Sequence, residues 1–226
     1  MKNLILNLKK IFLGNNHFWK QREVLESIMF GLLFFSGSIM INHYTSIYVD
    51  RSAGNHVTDI LLDNLPIANV NFIVNEVAWV FIWLVIVLLL VKPQRIPYVL
   101  KNIAFFIFIR SIFISLTHLG PIPNHSYLSK HDILSGIASG NDMFFSGHTG
   151  MPFLLALIFW ENKVLRYVFL FGSFLFGASM ILGHLHYSID VVAAFFITHS
   201  LYRIGRHLFR ADHKLFYETG MEENAV

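Results

Sequence analysis

The chain contains no cysteine. That excludes structural disulfides, thiolate metal sites and a cysteine nucleophile. Charge is also scarce. Asp, Glu, Lys and Arg make up 14% of 226 residues, where a soluble domain carries about a quarter. What takes their place is apolar. Hydrophobic residues reach 55%, and Phe alone accounts for 23 positions, many of them in long uninterrupted runs. A chain of this length with so little charge fits about six membrane helices joined by short loops better than one soluble domain. There is no internal repeat and no low-complexity tract. The formal net charge of +3 is modest, and no nucleic-acid partner is expected from it. The N-terminus does not read as a secretory signal, because Lys9 and Lys10 interrupt its apolar stretch and no small-residue cleavage site follows. An amphipathic helix lying on the membrane surface is the expectation there.

Six apolar segments are expected to cross the membrane, at about 24–49, 70–91, 98–119, 143–160, 164–183 and 187–209. The fold class is therefore an all-α, polytopic membrane bundle of six transmembrane helices. An even number of spans puts both termini on one side. Lys2, Lys9, Lys10, Lys20, Arg22, Lys92, Arg95, Lys101, Lys163, Arg166, Arg203, Arg206, Arg210 and Lys214 all fall on that side. The opposite loops hold only Arg51 and Lys130, and Arg110 sits within a span. The positive-inside rule makes the termini cytoplasmic. Residues 1–23 then form a cytoplasmic or interfacial segment, 24–209 the membrane domain and 210–226 a cytoplasmic tail.

The loops at roughly 50–69, 120–142 and 184–190 face outward in this scheme. They and their borders gather Asp50, Asp59, Asp63, Asp132, Asp142 and Asp190 with His56, His118, His125, His131, His148, His184 and His186. Polar residues with merely structural roles have no reason to share one face.

Three stretches on that face carry chemistry. In Gly183-His-Leu-His-Tyr-Ser-Ile-Asp-Val191, His186 and Asp190 are four apart and share a helix face. An Asp so placed can hold Nδ1–H of the imidazole and leave the Nε2 lone pair for a nucleophile or general base. A helix-capping role for Asp190 fits the same spacing. In Asn141-Asp-Met-Phe-Phe-Ser-Gly-His-Thr-Gly150, Ser146 and Gly147 stand at the outer start of the fourth span. A helix N-terminus there suits phosphate, Gly147 lets the backbone approach it, and His148 can serve a leaving oxygen. An ordinary Ser cap with small residues for helix packing is the plainer alternative. In Arg110-Ser-Ile-Phe-Ile-Ser-Leu-Thr117, a charge at membrane depth needs a partner. Arg110 either neutralises phosphate through its guanidinium fork or pairs with Glu76 or Asp190. His184 and His186 would make a poor metal pair, since the chain has no HExxH and no spaced His-rich boxes. His199 reads as a helix-packing residue, and Asn124-His-Ser126 is a glycosylation sequon of the kind common by chance.

Asp142-Met-Phe-Phe-Ser-Gly-His-Thr149 and His186-Tyr-Ser-Ile-Asp-Val191 resemble the third and fourth signature motifs of the sphingomyelin synthases, a branch of the type-2 phosphatidic acid phosphatase superfamily. Arg110, Thr117 and Pro121-Ile-Pro123 resemble the second motif with Gly120 as an extra residue, and Asp63-Asn-Leu-Pro66 faintly echoes the first. The likeness runs over about residues 60–207. It implies six spans and an outward-facing site, with His186 as the nucleophile that takes the phosphoryl group and Asp190 activating it. It also implies that His148 serves the leaving and then the accepting oxygen, and that Arg110 binds phosphate. Asn141, Gly140 and His118 depart from the motif residues, which bears on the headgroup more than on the chemistry.

The classical phosphatases of the superfamily carry Lys-x6-Arg-Pro, Pro-Ser-Gly-His and a Ser-Arg before the nucleophilic His. Here no Lys-x6-Arg-Pro exists, Phe145 stands at the Pro position and Met180 follows Ser179. A site with fewer fixed cations suits a phosphodiester with one charge better than a monoester with nearly two. The expected function is transfer of a phosphoryl headgroup from a phospholipid donor to a lipid alcohol such as a ceramide. Asp142, Ser146 and Gly147 would join Arg110 in holding phosphate, and no metal or other cofactor is expected. Hydrolysis to water by the same residues is the alternative, and a non-enzymatic lipid-binding protein a third.

Overall fold

The computed structural model describes residues 21–123, 125–126 and 143–221, with side chains to 217. Among them every regular element is helical. Helix α1 spans Arg22–Ser52, and α2 spans Ala78–Val91 behind a π-helical turn at Ile73–Val77. A short 3-10 turn at Pro93–Arg95 leads into α3, Ile96–Leu116. Then come α4 (Gly147–Ile158), α5 (Lys163–Leu182), α6 (Ser188–Leu208) and α7 (Arg210–Met221).

Four of these segments are long and apolar enough to cross a membrane: Arg22–Ser52, Ile73–Val91, Pro93–Leu116 and Lys163–Leu182. Their outward faces carry bare apolar side chains. Leu33 is 71% exposed, Val80 64% and Phe171 67%. Exposed apolar faces of that kind mark an integral membrane protein, whose solvent at these positions is lipid. The remaining two expected spans differ from that standard for separate reasons. Helix α4 is only 12 residues, because Ser146 caps it at one end and the chain turns away at Phe159. Helix α6 has 21 residues, but Asp190, His199, Arg203 and Arg206 dilute its apolar character. The expected interfacial helix at the N-terminus lies outside the described residues. The expected tail is helical as far as Met221, and it is docked: Asp212 and Phe216 are buried against the bundle.

The helices meet through aromatic packing and small residues. Helix α1 lies along α3. Helix α4 lies between α5, α6 and α3. It approaches closely because Gly150 has no side chain: a Cβ there would come within 2.8 Å of Thr198 Oγ1 on α6 and 2.9 Å of the Phe106 ring on α3. Phe81 sits against Gly172 and makes edge contacts with Phe169 and Phe176, which ties α2 to α5. At the end of the bundle remote from His186, Lys101 on α3, Asp212 on α7 and Ser27 on α1 form a buried polar cluster. Its Lys101 Nζ to Asp212 Oδ2 distance is 2.6 Å.

Candidate active site

The chain enters α4 through a strained turn. Phe144 adopts a left-handed backbone with φ 85°, which a bulky residue takes only when its surroundings hold it there. What holds it is aromatic packing onto α3. Phe145 is fully buried and packs edge-on against Phe106 and Phe113, with centroids at 5.4 and 5.9 Å, and Phe144 lies on Phe113 at 5.8 Å. Each such pair contributes about 0.5–1.5 kcal/mol beyond its buried area, against a strain of about 1–3 kcal/mol. Phe145 thus anchors the loop.

Ser146 follows in extended conformation and caps α4, its hydroxyl accepting from Thr149 N–H at 3.4 Å. The cap expected of Ser146 is therefore present. Two further contacts bring all three chemical stretches together. Arg110 Nε donates to the Phe145 carbonyl at 3.1 Å, with its guanidinium against Gly147, and Ser146 N–H donates to the Asp190 carbonyl at 3.0 Å. A Cβ on Gly147 would lie 3.3 Å from Arg110 Nε, so the glycine leaves room for the cation beside the helix N-terminus. Guanidinium and free N–H groups at a helix start both favour an anion. Arg110 is buried, 8% exposed. Neither carboxylate weighed as its ion-pair partner serves it: Glu76 is exposed, and Asp190 is engaged elsewhere.

Asp190 is the centre of the arrangement. Its side chain is fully buried, and Oδ2 lies 3.2 Å from His186 Nδ1. A carboxylate only accepts, so this contact puts the imidazole proton on Nδ1 and leaves Nε2 with its lone pair. The same Oδ2 accepts Tyr187 N–H at 3.2 Å, the reciprocal half of a capping box at the start of α6. The two readings of Asp190, cap and imidazole holder, coexist on one oxygen. His148 stands in the first turn of α4, half buried, its ring 6.3 Å from that of Phe176. Asp142 lies outside the described residues. Among the described residues no three His, Asp or Glu side chains converge as a metal set would. His184 is buried in a left-handed turn (φ 53°), and its Nε2 has no hydrogen-bond partner among the described residues. His199 is exposed and does not pack between helices as expected.

A residue without any spacing signal completes the support. Asp59, from the loop after α1, is buried and accepts Ser188 N–H at 2.7 Å and Ser188 O–H at 2.8 Å through Oδ2, with Leu61 and Leu62 N–H on Oδ1. Burial alone would raise its pKa. The hydrogen bonds from Ser188, Leu61 and Leu62 outweigh burial and hold it below the ordinary carboxylate value. Tyr187 adds a second tie, its hydroxyl donating to the Gly120 carbonyl at 2.9 Å and accepting Val57 N–H at 3.3 Å. Gly120, the extra residue before Pro121, is needed because the loop crosses 54–56 backbone to backbone: a Cβ would meet Asn55 C at 2.5 Å and His56 N at 2.6 Å. Asp59 and Tyr187 lie more than a hundred residues apart in sequence, so only the fold reveals that they brace one helix start.

Residues 139–208 match the family model described as PAP2 superfamily C-terminal. No curated protein and no solved structure gives a match. The matched stretch contains Ser146, Gly147, His148, His186 and Asp190, the residues whose geometry has just been given. The match covers 70 of the 226 residues, and over that stretch the chain is similar to the PAP2 superfamily, whose members are generally phosphatases or phosphotransferases.

Proposed function

We propose that the protein is a lipid headgroup phosphotransferase of the sphingomyelin synthase type, working through a phosphohistidine on His186. The observation that carries this reading is the 3.2 Å contact between His186 Nδ1 and the fully buried Asp190. It fixes the tautomer in which Nε2 attacks phosphorus. The donor phospholipid's phosphate lies at the start of α4 beside Arg110. As the Nε2–P bond forms, the P–O bond to diacylglycerol breaks, and His148 gives the departing oxygen its proton. Asp190 stabilises the positive charge that develops on the imidazole. In the second half-reaction His148 takes the proton of a lipid alcohol, whose oxygen attacks phosphorus and frees Nε2. In this proposal six helices cross the bilayer with both termini cytoplasmic, and the site opens to the non-cytoplasmic face, where both lipids arrive from the outer leaflet. Residues 24–209 are the catalytic domain, and Asp142 joins Ser146 and Gly147 around the phosphate.

The preference for transfer rests on the thin charge of the site. Met180, buried at 1% exposure, stands where related phosphatases carry a second arginine, so a diester's single charge is the better match. The test is incubation of the purified protein with phospholipid labelled at phosphorus, with and without ceramide or diacylglycerol, alongside His186→Ala. Acid-labile label on the wild-type protein that moves to the added alcohol is the expected result. Label released only as water-soluble phosphate or phosphoryl headgroup would replace transfer with hydrolysis. Unaltered label on His186→Ala would remove His186 from the role of nucleophile.

A further inference from the structure

At the end of α6 away from His186 the bundle holds a cavity of about 610 Å³. Asp190 and Arg203 are thirteen residues apart on one helix, about 20 Å along its axis. In the six-span arrangement of the proposed function, on which this inference rests, the cavity therefore lies at the opposite membrane face, well separated from the phosphoryl site. Its lining joins the apolar Phe153, Leu157 and Leu170 to Arg203 and Arg206, with Tyr202 and Tyr217 beside them.

From this arrangement we infer a binding site for a glycerophospholipid with a net-negative headgroup, in the leaflet opposite the catalytic histidine. Arg203 and Arg206 are three residues apart, so they share a face of α6 one turn from each other. Among the described residues neither forms an ion pair, although Glu161 lines the same cavity. Both arginines are exposed, and both line a cavity that also holds the apolar side chains of Phe153, Leu157 and Leu170. The rim is braced: Tyr217 O–H donates to the Ile158 carbonyl at 2.9 Å, and Arg166 lies over the Trp160 ring at 4.8 Å. Apolar side chains and a pair of guanidiniums in one lining fit an acyl chain and a phosphate together. A bare inorganic anion would use the two arginines and leave Phe153, Leu157 and Leu170 uncovered.

The test uses the full chain in detergent, with native mass spectrometry after exchange into micelles carrying palmitoyl-oleoyl phosphatidylglycerol, the matching phosphatidylcholine, or inorganic phosphate. The wild type retains phosphatidylglycerol in preference to phosphatidylcholine. Arg203→Gln with Arg206→Gln weakens that retention about 30-fold, roughly fivefold for each arginine. Glu161→Gln, which removes the opposing charge from the cavity wall, strengthens it and needs no loss of fold to be read. Equal retention of both lipids, retention unchanged in the double variant, or weaker retention in Glu161→Gln would each overturn the site. Full displacement of phosphatidylglycerol by inorganic phosphate would overturn the lipid as its ligand.

Discussion

Replacing Asp59 tests whether the phosphoryl site is held by a residue outside every recognisable motif. Its carboxylate receives four hydrogen bonds, two from Ser188 at 2.7 and 2.8 Å and two from Leu61 and Leu62 N–H at 2.9 and 3.3 Å. In Asp59→Ala the two Ser188 donors at the start of α6 lose their acceptor, and the loop loses its own cap. A lost helix cap costs about 0.5–2 kcal/mol, and a hydrogen bond to a charged group about 1.5–3. Water can reach part of this loop, so the net cost expected is about 2–4 kcal/mol. Asp59→Asn keeps one acceptor oxygen and costs about half as much. Because Ser188 is two residues from His186, the variant lowers kcat more than it raises KM. The measurements are thermal unfolding in detergent and steady-state lipid turnover. The pH dependence has a definite sign. The folded pKa lies below the model-compound value of 3.8, so this stabilisation is fully present above that value and is lost as pH falls below it through the folded pKa. The acid limb of the stability profile therefore flattens in Asp59→Ala. An unchanged melting temperature and an unchanged kcat in Asp59→Ala would refute the bracing role.

Three further outcomes follow from the same geometry. Asp190→Asn keeps the shape of the site but substitutes a neutral acceptor for a charged one, and turnover falls about 10³–10⁴-fold, by analogy with other Asp–His pairs; single-turnover label transfer to the protein checks it. Gly120→Ala drives a methyl into the backbone of residues 55 and 56, so the loop shifts and the Tyr187 contact breaks, seen as a lower melting temperature and a lower kcat. Gly150→Ala meets Thr198 and Phe106 at under 3.0 Å and destabilises by about 1–3 kcal/mol, read in detergent unfolding.

Helix positions were legible in the sequence because the bilayer imposes one rule, about twenty apolar residues per crossing. The expected segments at 24–49, 70–91 and 164–183 overlap the helices of Arg22–Ser52, Ile73–Val91 and Lys163–Leu182 closely. Boundaries at the site were less legible. Composition extends the fourth segment back to residue 143, but Ser146 captures Thr149 N–H and starts α4 at Gly147. The spacing of His186 and Asp190 pointed to their contact, but not to its geometry: α6 begins only at Ser188, so the two do not share a helix face, and the Asp190 side chain reaches back past the cap to His186. The positions of Arg110 and Ser146 beside that pair were not legible. They depend on Phe145 filling a gap between Phe106 and Phe113, and on a backbone bond from Ser146 to Asp190. Asp59 carried no signal beyond its place among the acidic residues of the outward loops, because its partner Ser188 lies 129 residues away.

The buried cluster at the other end of the bundle offers a test of what holds α7 in place. Lys101 Nζ lies 2.6 Å from Asp212 Oδ2 and 2.6 Å from Ser27 Oγ, and Ser27 in turn donates to Asp212 Oδ1. Both charged side chains are 9% exposed. Removing water from two charges costs several kcal/mol, and their attraction roughly offsets it. The pair as a whole therefore adds little stability, yet each partner alone is strongly destabilising. Lys101→Met strands the Asp212 carboxylate with only Ser27, and Asp212→Leu strands the ammonium near the Phe30 ring, 5.2 Å away. Each single variant is expected to lose about 3–5 kcal/mol, while Lys101→Met with Asp212→Leu returns to within about 1–2 kcal/mol of the wild type. Unfolding of the four proteins in mixed micelles gives the coupling energy directly. A double variant as unstable as the sum of the singles would mean that α7 is held by Phe216 and its aromatic neighbours. The ion pair would then be a consequence of docking and not its cause.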